Sequence, residues 1–216
     1  MKEKLALRRV FSLFAFILII WGFYRFLFRF PETIEELVLK PLIWLGATFW
    51  VVKKLEKKPL ASLGFSSKNL FKSLYWGIFL GAVFAVEGLF TNYLKYSNFS
   101  FIQLAYTQAT FLGAVGLSLV TAVSEETVFR GYIFNRLNKT LKNEWYANIL
   151  STFSFALIHL PITIFVLHYS LDEMAAYLLL VSLFGFGSAF VFARTGNIAS
   201  SILMHVFWAW PIVLFR

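Results

Sequence analysis

The sequence predicts an all-α fold: a polytopic membrane bundle of about seven (seven to eight) transmembrane helices around a central polar cavity. Three observations predict it. The chain has 216 residues, is 59% hydrophobic and has a mean hydropathy of +0.72. Soluble domains are roughly 45–50% apolar, so most of this surface has to face lipid. Seven apolar runs approach the ~20 residues that a bilayer-spanning helix needs. Finally, a few acids, an arginine and two histidines interrupt the later runs, and ionisable groups at that depth face the interior of a bundle.

The first run is Val10–Phe28, preceded by Lys2, Lys4, Arg8 and Arg9. Its apolar stretch is too long for a secretory signal and ends in Arg25 and Arg29 without a small-residue cleavage site, so it reads as a retained anchor. Leu37–Val52 is the shortest span, and the polar stretch Lys53–Lys68 reads as a linker. Leu70–Tyr93 carries Gly77 and Gly81, a small-xxx-small pair that predicts a close helix contact. Gln108–Tyr132 should continue beyond the membrane to about Leu137 as one helix. Tyr146–Leu167 contains Pro161, which should break the helix and free backbone carbonyls beside a cavity. Met174–Phe192 holds Gly185 and Gly187, a second close-contact site. After the turn Thr195-Gly196-Asn197 comes the last run, Ile198–Phe215. There is no internal repeat. Residues 1–58 form N-terminal transmembrane helices and a basic cytoplasmic loop, and 59–216 form a core, within one membrane domain.

Charge sets the expected topology. Of 20 Lys and Arg, only Arg25, Arg29, Lys40, Lys95 and Arg216 fall on the side away from the N-terminus, Arg130 lies within a run, and the rest share the N-terminal side. Basic loops stay in the cytoplasm, so the N-terminus is expected there. The net charge of +9 then belongs beside anionic lipid. No basic stripe lies outside the short loops, so nucleic acid is not an expected partner. The chain has no cysteine, which removes disulfides, thiolate nucleophiles and Cys-bound zinc.

The chemistry should sit in three places: Glu125, Glu126 and Arg130 in SEETVFRG, Phe155 and His159 in FALIHL, and His205 in ILMHVFW. Glu126 and Arg130 are four apart with the acid first, the favourable order for a helical ion pair, and are expected to be structural. Glu125 lies about 100° round the helix from Glu126 and cannot share Arg130 equally. A carboxylate buried without a full partner is placed to take a proton from water. Phe155 and His159 share a helix face. One Glu and two His can hold a zinc ion with a position open for water. Alternatively, the Glu activates water while the imidazoles stabilise an oxyanion. Both lead to amide hydrolysis. His168, in a loop near Asp172 and Glu173, reads as solvated, and Glu87 is an isolated acid in the third run.

The order Glu-Glu-x-x-x-Arg, Phe-x-x-x-His and a late His resembles the CPBP intramembrane protease family, which includes CAAX prenyl endopeptidases and proteins related to bacteriocin self-immunity. Ser62-Leu63-Gly64-Phe65 and Thr195-Gly196-Asn197-Ile198 resemble that family's lead-ins to its segments. The resemblance covers roughly Leu60 to the C-terminus. It implies an intramembrane endopeptidase in which Glu125 activates water and His159 and His205 line the site, supported by Glu126, Arg130 and Phe155. It leaves open zinc on Glu125, His159 and His205 or a metal-free reaction. The implied partners are a peptide or membrane-protein substrate and the lipid bilayer, and the implied location is a bacterial or archaeal cell membrane. The alternative is a non-catalytic relative acting in bacteriocin immunity or on a partner membrane protein. One departure favours that alternative: many members carry Asn or Asp four residues after the last His, where this chain has Ala209.

Overall fold

The computed structural model describes residues 2–97 and 108–214; Phe215 and Arg216 lie outside them. The fold is all-helical. Among the described residues seven long helices follow one another: α1 (Lys2–Leu27), α2 (32–55), α3 (Leu70–Tyr96), α4 (108–141), α5 (Glu144–Phe165), α6 (Leu171–Thr195) and α7 (Ala199–Leu214). Each expected run coincides with one of them, and α4 does continue past the apolar run, to Leu141. Four helices are long and apolar enough to cross a membrane by length and composition, in α1, α3, α5 and α6. α2 and α4 carry buried charges.

Small residues set the closest helix crossings. A Cβ on Gly77 would stand 2.8 Å from the Ser200 carbonyl oxygen, and one on Gly81 would stand 2.9 Å from Cβ of Phe207. These two glycines therefore let α3 lie against α7 backbone to backbone. Gly187 on α6 instead makes room for side chains, where a Cβ would meet the ends of Met204 at 2.8 Å and Phe84 at 2.9 Å. Aromatic rings fill the interior: Trp21, Trp44, Phe129, Phe155 and Phe184 are all buried. The lipid-facing flank of α3 keeps its large apolar side chains exposed, Phe71 by 87%.

The two lead-in stretches clip to each other. Leu60–Leu63 forms a 3₁₀ turn, closed by Gly64 at φ +94°, a backbone state that favours glycine. The Ile198 amide donates to the Gly64 carbonyl at 3.1 Å. The Asn197 side-chain amide donates to the carbonyls of Ser66 and Lys68, at 2.5 and 2.9 Å. Arg136 and Asn135, near the end of α4, donate to Ser62. The stretch after α2 is thus a docked strap with Leu63 fully buried, where the sequence predicts only a linker.

Two further expectations fail. Pro161 does not break α5, which runs through it to Phe165; Thr163 donates to the Leu160 carbonyl beside it. Arg25 and Lys40, counted as loop charges on the far side, are buried within the bundle. Arg25 pairs with Glu35, which also accepts from Tyr24 at 2.5 Å.

Candidate active site

The site grows from the middle of α4. Glu126 is fully buried and accepts three hydrogen bonds. Arg130 Nη1 donates to Oε1 at 3.2 Å from the next turn of the same helix. His205 Nδ1 on α7 meets Oε1 at 2.8 Å, and Ser188 Oγ on α6 donates to Oε2 at 2.6 Å. The pair predicted from i,i+4 spacing is therefore real and does more than lock one helix. It ties α4 to α6 and α7 and orients His205. Arg130 completes its position by donating to the Gly185 carbonyl at 3.1 Å and lying 4.2 Å above the Phe155 ring. Gly185 leaves room for it: a Cβ there would stand 3.3 Å from Arg130 Nη2.

Glu125, one residue earlier, points elsewhere, as the 100° step requires. It is not left without a partner. Lys40 on α2 places Nζ 2.9 Å from Glu125 Oε1 and 2.6 Å from Glu36 Oε2, and Thr121 Oγ1 donates to that same Glu36 oxygen at 2.6 Å. Lys40 is 5% exposed and Glu36 8%. These two residues were not foreseen. The signal was available: Glu36 and Lys40 repeat the acid-first i,i+4 spacing of Glu126 and Arg130, but the window around Lys40 reads as a helix end.

The histidines approach the same point. Glu125 Oε2 lies 3.9 Å from His205 Nε2. His159 lies within electrostatic range of Glu125, Lys40 and His205, and its Nδ1 is 2.7 Å from the Phe155 carbonyl oxygen. A carbonyl only accepts, so Nδ1 of His159 carries the proton, and an ionised Glu126 likewise makes Nδ1 of His205 the donor. In the neutral imidazoles both Nε2 atoms are then acceptors. The two rings stand at either end of an aromatic wall, with His159 4.7 Å from the Phe155 ring centre and His205 4.8 Å from that of Phe184. Glu125 and His205 are each 5% exposed, so the cluster is packed and almost closed.

The formal charges in the cluster do not cancel. Glu36, Glu125 and Glu126 face Lys40 and Arg130, three acids to two bases. Among the described residues no three His, Cys, Asp or Glu side chains are arranged to hold a metal ion. Oε1 of Glu125 faces an ammonium, and Nδ1 of His205 is engaged by Glu126. As arranged, these residues do not fit a three-ligand zinc centre.

The remaining polar candidates lie apart. Asn197 closes the turn before α7, also receiving the Ala199 amide at 2.9 Å, and takes no part in the cluster. Ala209 stands one turn beyond His205 without a polar side chain. Glu87 accepts from Trp208 Nε1 at 3.2 Å and from Thr91. His168 is exposed beside Arg29.

No curated protein and no solved structure significantly matches this chain. Residues 107–211 match the family described as type II CAAX prenyl endopeptidase Rce1-like. That segment holds Glu125, Glu126, Arg130, Phe155, His159 and His205, whereas Glu36 and Lys40 lie before it. Over this segment, just under half its length, the chain is similar to the CAAX-type intramembrane proteases.

Proposed function

We propose that this protein is an intramembrane endopeptidase. It hydrolyses a peptide bond of a peptide or lipidated membrane-protein substrate, using water activated by Glu125. The observation that carries this reading is the pair of acceptors 3.9 Å apart, Glu125 Oε2 and His205 Nε2. That distance is too long for a direct hydrogen bond and suits one water donating a hydrogen to each. Glu125 takes the proton, the water oxygen adds to the scissile carbonyl carbon, and the carbonyl oxygen becomes an oxyanion. Collapse breaks the C–N bond, and Glu125 returns the proton to the departing nitrogen. Glu126 keeps the His205 ring in register.

Ala209 cannot serve the oxyanion. Lys40 is the cation bonded to Glu125, and its ammonium has a third N–H beyond those given to Glu36 and Glu125. It supplies positive charge where the transition state becomes negative. None of these steps runs through a metal. The loop charges argue for a cytoplasmic N-terminus.

A second reading is favoured by the same lysine. An ammonium seated on Glu125, with Ala209 in place of a donor, also describes a site that binds without cutting, as in a membrane protein of bacteriocin immunity or one that regulates a partner. The deciding experiment is cleavage of a fluorogenic library of lipidated and unlipidated peptides by purified protein in detergent, with Glu125→Gln as control and with chelator. We expect turnover that falls by about 10²–10⁴ in the mutant and persists in chelator. Turnover lost in chelator would restore zinc to the mechanism. No turnover from folded protein on any substrate would favour the binding role.

A further inference from the structure

A groove lies away from the site, between α1 and α2. Its volume is about 810 Å³ and its walls are almost wholly apolar. It follows α1 from Leu5 to Ile20, about 22 Å at helical rise, which exceeds the ~15 Å thickness of one leaflet's hydrocarbon. Small residues keep it open. A Cβ on Gly46 would meet nothing within 4 Å, although its backbone is ordinary helix. One end is different: Arg8 and Arg9 line it. Their side chains make no ion pair or hydrogen bond with any described residue, unlike the buried cations Arg25, Lys40, Arg130 and Arg136, all of which are paired. Lys53 and Lys54 at the end of α2 add charge to that end of the hairpin.

We propose that this groove binds one anionic phospholipid, with an acyl chain along the α1–α2 cleft and the phosphate on Arg8 and Arg9. The apolar length matches a chain, and the two free guanidiniums match a phosphate, which arginine grips with paired donors. None of Glu125, His159 or His205 lines the groove, and both helices lie outside the segment matched at family level. The occupant is therefore a bilayer component and not the molecule being cut.

The test is native mass spectrometry of protein purified in mild detergent and offered dioleoyl phosphatidylglycerol or phosphatidylcholine. Wild type should retain one phosphatidylglycerol in preference to phosphatidylcholine. Arg8→Gln/Arg9→Gln should lose that preference by about thirtyfold, as expected for two surface cations. Gly46→Trp, whose Cβ enters open space in the groove, should lose retention of either lipid while its unfolding temperature is kept. Equal retention of the two lipids by wild type, or retention unchanged in both variants, would overturn the proposal. So would displacement of the bound lipid by a farnesylated peptide, which would give the groove to a substrate. Peptidase activity is not read in any arm.

Discussion

Two buried ion pairs share one local pattern and differ in everything around them. Glu126–Arg130 and Glu36–Lys40 are both acid-first and four residues apart on a helix. The first pair sits at 0% exposure inside α4, and every arm of its carboxylate reaches a helix that follows α4 in the chain. The second sits on α2 and reaches across 85 residues to Glu125 and Thr121. The first pair builds the site from within the family segment, while the second imports a cation from outside it. Spacing alone therefore identifies a pair but not its task, which is set by the carboxylate or imidazole that a neighbouring helix brings up.

Breaking the first pair should have the largest effect on stability. Arg130→Ala leaves Glu126 buried with His205 and Ser188 but without its cation, and should cost about 3–5 kcal/mol, read as thermal unfolding in detergent. A stable but inactive Arg130→Ala protein would contradict the structural role. Lys40→Met strips the cation from two carboxylates that are slightly more exposed, and should cost about 1–3 kcal/mol. Adding Glu36→Gln should recover part of that loss, because one of the stranded charges goes with it. A double mutant no more stable than the single would mean that Glu36 and Lys40 do not act as a pair.

Bulk at the α3–α7 crossing separates packing from charge. Gly81→Val has to push Phe207 or the α7 backbone and should cost about 1–3 kcal/mol, with no change in the Glu125Gln-sensitive fraction of any activity. The smallest effect should come from the anchor of the second pair. Thr121→Val removes one hydrogen bond to Glu36 and should lower stability by about 1–2 kcal/mol, less than the Arg130→Ala loss.

The comparison also shows what could be read early. Glu125, Glu126, Arg130, Phe155, His159 and His205 could be named from sequence because ionisable residues in apolar runs have few tolerable places. Gly77, Gly81, Gly185 and Gly187 could be named because only small residues let helices approach so closely. Lys40 and Arg25 could not, because each sits near the end of an apolar run, where a basic residue ordinarily belongs to a loop. The local sequence of such a lysine is the same whether it meets solvent or the carboxylate of a helix 85 residues away. Pro161 misled for a related reason: whether a proline breaks a helix depends on what packs beside it, and here it is buried near Gly22 of α1.

By itself, then, the amino-acid sequence determined the helical membrane class, the seven helices, the close glycine crossings and the residues at which charge enters the bundle. These follow from hydrophobic length, residue size and the cost of charge in hydrocarbon, all of which are local. Only the tertiary structure decided that Lys40 sits on Glu125, that Glu126 orients His205, that the stretch after α2 is a docked strap, and that α1 and α2 enclose a separate groove. Each of these depends on which helix faces which, and that is set by the simultaneous packing of all seven.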